Sequence, residues 1–158
     1  MRIGHGFDAH QLVENRKLVL GGITIPHSRG LAGHSDADVL THALCDALLG
    51  ALGEGDIGRH FPDSDEKFNN IYSISLLEQV ISLAHKHSYY LVNADITLVC
   101  QAPRLAPFIE RMREVIAKAC EVDTSHINIK ATTTEKMGFA GRSEGISCHA
   151  VALLHSRN

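Results

Sequence analysis

The first ten residues constrain the fold of this chain most strongly, because they combine two glycines with an Asp-x-His pair. Residues 1–10 read MRIGHGFDAH. In an extended strand, successive side chains alternate between two faces, so Asp8 and His10 project from the same face. Gly4 and Gly6 leave that face without side chains, so a third ligand, an ion and a substrate can approach the backbone closely. The stretch is therefore predicted to be half of a metal site.

A helix that begins near residue 35 is predicted to supply the third ligand, His42. Ser35 followed by Asp38 three residues later resembles a capping box, with Asp in place of Glu or Gln. Apolar residues then recur at helical spacing over residues 39–52. His42 lies outside this apolar stripe, and Asp46 follows one turn later. Asp46 is accordingly predicted to orient the second ring nitrogen of His42.

Two histidines and one carboxylate can hold a divalent ion with open coordination positions, as a catalytic metal site requires. The same ligand set suits non-haem iron, whose oxygenases use two His and a carboxylate. Zinc is preferred because no sequence feature indicates dioxygen chemistry. Spacing alone leaves two simpler interpretations open, namely an incidental Asp-x-His pair on a strand and a local His–Asp hydrogen bond on a helix.

The remaining pattern predicts a single α+β domain over residues 1–158. Residues 17–25 are mainly aliphatic and predict a ribbon bent at Gly21 and Gly22. Ser73 is predicted to cap a second helix, and a third is predicted to have Pro107 in its first turn. Further strands are predicted over residues 90–100, 127–131 and 146–154. Strands and helices intermix without regular alternation, which favours a mixed sheet covered by helices.

Charge and hydropathy argue against two classes of partner. A net charge of -3 offers no electrostatic basis for binding nucleic acid. The apolar runs are shorter than the roughly 20 residues of a membrane span, and Asp8 and His10 stand where a signal peptide would be apolar, so a cytoplasmic location is expected. Without any Cys-x-x-Cys spacing, the cysteines are expected to be buried free thiols: Cys45, Cys100, Cys120 and Cys148.

Two polar segments suggest a phosphate-binding region. Residues 55–65 form a long glycine-containing loop of the kind that often carries function. Residues 132–136 (TTTEK) offer three hydroxyls and the Glu135 carboxylate, which can hold phosphate oxygens and a hard cation such as Mg²⁺. Arg142 can clamp an anion. The residues alone leave open that these are a polar loop and a surface charge.

Together the motifs resemble the 2-C-methyl-D-erythritol 2,4-cyclodiphosphate synthase family. The motifs are HGFDAH at 5–10, HSDAD at 34–38, GDIG at 55–58, FPD at 61–63, QAP at 101–103, KATTTEK at 130–136, GF at 138–139 and GR at 141–142. The similarity runs from Arg2 to Leu154. Several motifs in one order over nearly the whole chain are far more specific than any one of them.

The resemblance implies a zinc-dependent cyclising lyase of the non-mevalonate route to isoprenoid precursors. Such an enzyme converts 4-diphosphocytidyl-2-C-methyl-D-erythritol 2-phosphate into 2-C-methyl-D-erythritol 2,4-cyclodiphosphate and CMP. The substrate's own 2-phosphate attacks its β-phosphorus, so the protein has to fold the substrate, neutralise charge and exclude water. The sequence shows no nucleophile–base arrangement, which agrees with this chemistry.

The resemblance also assigns metal and catalytic roles by position. The Zn²⁺ ligands are expected to be Asp8, His10 and His42. Glu135 is expected to help hold Mg²⁺ or Mn²⁺ between the α- and β-phosphates. His34 and Thr133 are expected to stabilise the transition state from either side, supported by the Ser35 hydroxyl.

Two further sets of residues are expected to bind the substrate. The methylerythritol portion is assigned to Asp56, Gly58 and Asp63 of the first polar loop. The cytidine pocket is assigned to Cys100, Gln101, Ala102, Pro103, Arg104, Leu105 and Ala106, together with Thr132. Further contacts with the substrate are expected from Phe61, Asp65, Thr134, Phe139 and Arg142.

The family forms homotrimers with active sites between subunits. The resemblance therefore implies that the metal ligands come from one chain and the cytidine pocket from its neighbour. A hydrophobic channel along the trimer axis, capped near Phe139 and Arg142, binds isoprenoid diphosphates in some members. The chain departs from the family pattern in having Ala37 where Gly is expected and His149 where an acid is expected. Ala106 is expected to loosen the cytidine pocket.

Two other functions fit the same residues. A metallohydrolase would use the same ligands with zinc-bound water and would give a linear product. A non-catalytic sensor of isoprenoid diphosphates would use the axial channel and would bind its ligand without His42.

Overall fold

The computed structural model describes residues 1–62 and 64–156, so the predicted substrate residue Asp63 lies outside the described residues. The strands are β1 (Arg2–Glu14), β2 (Leu18–Leu20), β3 (Ile23–Ile25), β4 (Arg29–Leu31), β5 (Tyr89–Val99), β6 (Ile127–Thr132) and β7 (Gly145–Ser156). The α-helices are α1 (Val39–Leu52), α2 (Ile57–His60), α3 (Ser73–Lys86), α4 (Ile109–Ala119) and α5 (Gly138–Gly141). Short 3-10 helices lie at Glu66–Phe68, Ala106–Phe108 and Thr124–His126. Within these described ranges no helix has the length and apolar character needed to cross a membrane.

A five-stranded sheet in the order β4-β1-β7-β5-β6 organises the fold. β1 pairs antiparallel with β7, from Arg2 opposite Leu154 to Gln11 opposite Gly145. β5 and β6 are parallel, and Val99 lies opposite Thr132 where both strands end. The loops that leave these two strands therefore begin side by side. The mixed sheet with its packed helices confirms the α+β prediction, and β2 and β3 form the predicted ribbon.

Helix α1 lies directly on the glycine face of β1. A Cβ atom on Gly4 would be 1.9 Å from the Ala47 carbonyl oxygen, and one on Gly6 would be 1.9 Å from the Ala43 carbonyl oxygen. These glycines are required because the helix backbone occupies the space of a side chain. The prediction that they keep the face open for a ligand is wrong at Gly4 and Gly6. The face opens only beyond them, where the first turns of α1 bring His42 above Asp8.

The predicted helix starts need two corrections. Asp38, and not Ser35, is the N-cap of α1, and its carboxylate accepts a hydrogen bond from the Thr41 amide. Asp38 also accepts from the amides of Gly21 and Gly22, which fastens the β2–β3 ribbon to the start of α1. Ser73 is the first residue of α3 and not its cap.

The opposite face of the sheet is exposed in the single chain and carries apolar side chains. Ile3 is 71% exposed, Phe7 49% and Val151 37%. His5 and His149 lie on the same face, with Nε2 of His5 3.2 Å from Nδ1 of His149. A contiguous apolar patch of this kind is typical of a surface that another chain covers.

Candidate metal and nucleotide sites

The side chains of Asp8, His10 and His42 meet where β1 passes under the start of α1. Oδ2 of Asp8 lies 2.8 Å from Nε2 of His10 and 3.1 Å from Nδ1 of His42, and the two nitrogens are 3.3 Å apart. Ligands on a tetrahedral zinc with bonds of 2.0–2.1 Å are separated by about 3.3 Å. The three atoms therefore fit a zinc ion after a small outward movement. Among the described residues, this is the only group of three or more His, Cys, Asp or Glu side chains placed to hold a metal.

The electrostatics of the cluster keep Asp8 ionised. Burial by itself raises the pKa of Asp8, but hydrogen bonds from His10 and His42 outweigh burial and hold the pKa well below its usual value. Burial by itself lowers the pKa of His10. The hydrogen bond and the charge of Asp8 raise it by more, so the pKa of His10 lies above its usual value. A charged carboxylate beside two imidazoles is a suitable ligand set for a divalent cation.

The second nitrogens of the two histidines have different partners. Nδ1–H of His10 donates to the Ala32 carbonyl oxygen at 2.6 Å. Nε2 of His42 lies 2.9 Å from the Ser73 hydroxyl and 3.1 Å from the Ser35 hydroxyl. The prediction that Asp46 hydrogen-bonds to His42 and orients it is wrong. The Asp46 carboxylate instead accepts from the Ile57 amide at 2.7 Å. Asp46 thereby holds the start of α2 against α1.

A pocket of about 440 Å³ opens beside the metal ligands. It brings together the ligands and four of the residues predicted to act on the substrate, namely His34, Ser35, Gly58 and Phe61. Five apolar side chains complete its wall, of which only Ile57 and Pro62 lie in motifs noted in the sequence: Ile57, Pro62, Phe68, Ile71 and Leu76.

Two predicted substrate residues lie near this pocket without lining it. Asp56 caps α2, and its carboxylate accepts from the Arg59 amide at 2.9 Å. Asp65 caps the 3-10 helix Glu66–Phe68 and pairs with Lys67 at 2.8 Å. In the single chain these carboxylates therefore have structural partners of their own.

A second pocket, of about 310 Å³, lies where the parallel strands β5 and β6 end. It is lined by Cys100, Gln101, Pro103, Arg104, Leu105, Ala106, Ile109, Ala131, Thr132 and Thr133. The predicted cytidine residues thus gather at one place, apart from Ala102, which does not line the pocket. Thr134, predicted only to contact the substrate, does not line it either. The Cys100 amide donates to the Thr132 carbonyl oxygen at 2.9 Å, and the Lys136 amide donates to Oε1 of Gln101 at 3.1 Å.

Thr133 lines this second pocket and not the metal pocket. Its hydroxyl donates to Oε1 of Glu135 at 3.2 Å, and both residues are exposed. Thr134 is turned away from Thr133 and donates to the Met137 carbonyl oxygen at 2.6 Å. In one chain, therefore, Glu135 and Thr133 are not beside the three metal ligands, and the two pockets share no lining residue.

Phe139 and Arg142 lie at a third place. Phe139 lines a shallow cavity with Ala9, Gln11 and Gly145 near the end of β1. The Arg142 guanidinium pairs with Glu144 at 3.1 Å on the surface.

Three residues without a predicted role in the site support the metal side: Arg16, Asp36 and Ser73. Arg16 donates to the carbonyl oxygens of Gly33 and Ser35 at 2.9 and 2.8 Å, which holds the loop that carries His34. Asp36 accepts hydrogen bonds from both the hydroxyl and the amide of Ser73. These partners are 17 to 37 residues apart in the chain, so no local pattern could have revealed them.

The fold and the two pockets define an α+β protein with a two-histidine, one-carboxylate metal site and a separate pocket at the ends of parallel strands. The sequence profile of the YgbB family matches residues 1–155, and the chain belongs to this family.

Named relatives agree with this assignment. The chain is 64% identical over 155 residues to the 2-C-methyl-D-erythritol 2,4-cyclodiphosphate synthase of Syntrophotalea carbinolica, covering 98% of this chain and 94% of that protein. It is 67% identical over 154 residues to the bifunctional enzyme IspD/IspF of Desulfotalea psychrophila, covering 98% of this chain but only 40% of that protein. The solved CDP complex of IspF from Plasmodium falciparum superimposes with a TM-score of 0.87 at 34% identity, covering 99% of this chain and 97% of that one. The family resemblance read from the motifs is confirmed.

Proposed function

We propose that this protein converts 4-diphosphocytidyl-2-C-methyl-D-erythritol 2-phosphate into 2-C-methyl-D-erythritol 2,4-cyclodiphosphate and CMP. The observation that carries the proposal is the Asp8, His10 and His42 cluster beside a pocket, in a chain that is 64% identical to a synthase of that name. In the reaction a 2-phosphate oxygen bonds to the β-phosphorus. The bond from that phosphorus to the bridging oxygen breaks, and CMP leaves with the bridging oxygen.

The metal pocket is proposed to hold the β-phosphate and the methylerythritol portion. Asp8, His10 and His42 would hold Zn²⁺, which when bound acts as a Lewis acid toward a phosphate oxygen. His34 and Ser35 line the same pocket and are proposed to donate toward the charge that develops on the phosphate. The apolar side chains around Phe61 exclude water from the reacting phosphates.

The second pocket is proposed to bind the cytidine. It offers backbone amides and carbonyls beside Cys100 and Thr132, which can hydrogen-bond the edge of a base. Thr133 is proposed to contact the diphosphate from this side, and Glu135 to help hold Mg²⁺ or Mn²⁺ there. The CDP bound to the Plasmodium falciparum relative supports a cytidine nucleotide as the ligand class.

A complete active site is proposed to form between neighbouring chains of a homotrimer. Two observations support this. The pockets share no lining residue within one chain, and the sheet face that carries Ile3, Phe7 and Val151 is exposed and apolar. Covering this face in a closed ring would bring the metal side of one chain to the cytidine side of the next. The cavity beside Phe139 is proposed to open onto the ring axis, where it could take an isoprenoid diphosphate.

Product analysis tests the proposed reaction. The zinc-loaded protein is incubated with the substrate in ¹⁸O-labelled water, and the products are followed by ³¹P NMR and mass spectrometry. The proposal expects a cyclic diphosphate and CMP without ¹⁸O. A linear product that contains ¹⁸O would show instead that the site is a metallohydrolase.

A further inference from the structure

The second ring nitrogen of His42 is hydrogen-bonded to side chains, whereas that of His10 is hydrogen-bonded to the backbone. The side chains behind His42 include Ser73 and, through it, Asp36. The Ser73 hydroxyl is fully buried and has one hydrogen to donate. It donates that hydrogen to Oδ1 of Asp36, while Oδ2 of Asp36 accepts from the Ser73 amide at 2.9 Å. The Ser73 oxygen can therefore only accept from His42.

This hydrogen-bond direction decides which nitrogen of His42 faces the metal position. Nε2 of His42 is 2.9 Å from the Ser73 oxygen and must carry the hydrogen of that bond. The Ser35 oxygen lies 3.1 Å from the same nitrogen and accepts from the Ala37 amide. With Nε2 engaged in this way, Nδ1 is the nitrogen of His42 that is left to bind a divalent cation. Nδ1 is the atom that faces Asp8 at 3.1 Å, where the ion would lie.

We propose that Asp36 and Ser73 are positioning residues for the metal site, and that the Asp36–Ser73–His42 relay keeps Nδ1 of His42 free to bind a divalent cation. This inference rests on the proposed metal site. Asp36 is itself fixed, because its Oδ1 also accepts from the Asp38 amide at 3.2 Å. The relay therefore joins the start of α1, which carries His42, to the start of α3, which carries Ser73.

The Asp36→Asn variant disturbs the relay whichever way its amide turns. If the NH₂ group faces the Ser73 amide, two donors oppose each other. If it faces the Ser73 oxygen, the Ser73 hydrogen is released toward His42, which favours the tautomer with hydrogen on Nδ1 and blocks the metal. The Ser73→Ala variant removes the closer of the two serine oxygens from Nε2 of His42 and breaks its link to Asp36.

Two measurements test the relay. The first is zinc affinity, determined by competition with a chelator for the unmodified protein, Asp36→Asn and Ser73→Ala. Partners that orient a metal-bound histidine typically contribute about 10–100-fold in affinity, and that loss is expected for both variants. Ser75→Ala, a matched Ser→Ala change two residues further along α3, is expected to bind zinc as the unmodified protein does.

The second measurement locates the hydrogen of the His42 ring directly, by two-bond ¹H–¹⁵N correlation NMR of the zinc-loaded protein. The relay predicts hydrogen on Nε2 of His42 in the unmodified protein. Hydrogen on Nδ1 would overturn it, and this result does not depend on whether any variant folds. Unchanged zinc affinity in folded Asp36→Asn would overturn it as well. If the tautomer and affinities are as expected but no cyclic product forms, the relay stands and the proposed reaction fails.

Discussion

The metal pocket and the cytidine pocket are built in contrasting ways. The metal ligands stand on β1 and α1, whose backbones touch at Gly4 and Gly6, and each ligand is partly buried with a fixed partner. The cytidine pocket is made by loops that leave β5 and β6, and Thr132, Thr133 and Glu135 around it are exposed. One chain therefore preorganises the metal half, whereas several residues of the second pocket are open to solvent in the single chain.

The largest expected effect comes from removing a metal ligand. His42→Ala leaves two ligands, and loss of Lewis-acid stabilisation worth several kcal/mol should lower turnover by about 10³-fold or more. Bound zinc is measured by mass spectrometry and CMP release by chromatography. His85→Ala, on the far surface beside Glu121, should change neither. Normal zinc content and turnover in His42→Ala would show that His42 is not a ligand of a functional metal site.

The close contact between β1 and α1 predicts the next largest effect. A Cβ on Gly6 would meet the backbone of Ala43 and Ala47, so Gly6→Ala must push the helix outward. We expect the free energy of unfolding to fall by about 3 kcal/mol, at the upper end of overpacking costs, with weaker zinc binding. Urea unfolding measures the first and chelator competition the second.

Gly50 provides the matched control for this contact. It lies within α1, and the nearest atom outside the helix to an added Cβ is the His5 carbonyl oxygen, 3.9 Å away. Gly50→Ala should therefore raise the free energy of unfolding by about 0.5–1 kcal/mol, since Ala favours a helix. Equal effects at Gly6 and Gly50 would show that the helix does not rest on the strand.

A smaller effect is expected from loosening the cytidine pocket alone. Gln101→Ala removes the acceptor of the Lys136 amide, and one such bond contributes about 1 kcal/mol, or about fivefold in the Kd of CMP. Calorimetry should show this loss with zinc affinity unchanged. Gln79→Ala, on α3, should leave both affinities alone. A joint loss of CMP and zinc binding in Gln101→Ala would mean that the two halves are not built separately.

The smallest effect concerns the loop that carries His34. Ala37 has φ of 56°, a left-handed conformation that costs a residue with a Cβ about 1–2 kcal/mol. This explains why Gly is expected at the position. Gly loses more backbone entropy on folding, so Ala37→Gly should raise the free energy of unfolding by less than about 1 kcal/mol in urea titration. A decrease would show that the loop adopts another conformation.

The sequence predicted the parts of the metal side that follow from local periodicity. Strand alternation placed Asp8 with His10, and the helical spacing put His42 on a separate face from the core. The role predicted for Gly4 and Gly6 was wrong, because a glycine in the sequence does not indicate whether a ligand or a helix occupies the space of the absent side chain. The predicted roles of Ser73 as a helix cap and of Asp46 as a partner of His42 were also wrong, because each side chain hydrogen-bonds to a residue outside its own helix.

The cytidine side was beyond reasoning from local patterns. Residues 100–106 and 132–133 meet only because β5 and β6 pair in parallel, which no spacing reveals. The family resemblance supplied that grouping. Pairing of one chain's metal pocket with another chain's cytidine pocket is a property of the assembly and remains a prediction.

Mixing two inactive variants tests whether neighbouring chains share one active site. His42→Ala and Thr133→Ala are each expected to be inactive, and they are co-refolded in equal amounts, with differing tags to verify mixed assemblies. In a randomly mixed ring, about one quarter of sites pair an intact metal half with an intact cytidine half, so about a quarter of the unmodified activity should return. Mixed assemblies that stay inactive would rule out a shared site, since they would show that each chain must supply both halves of its own site.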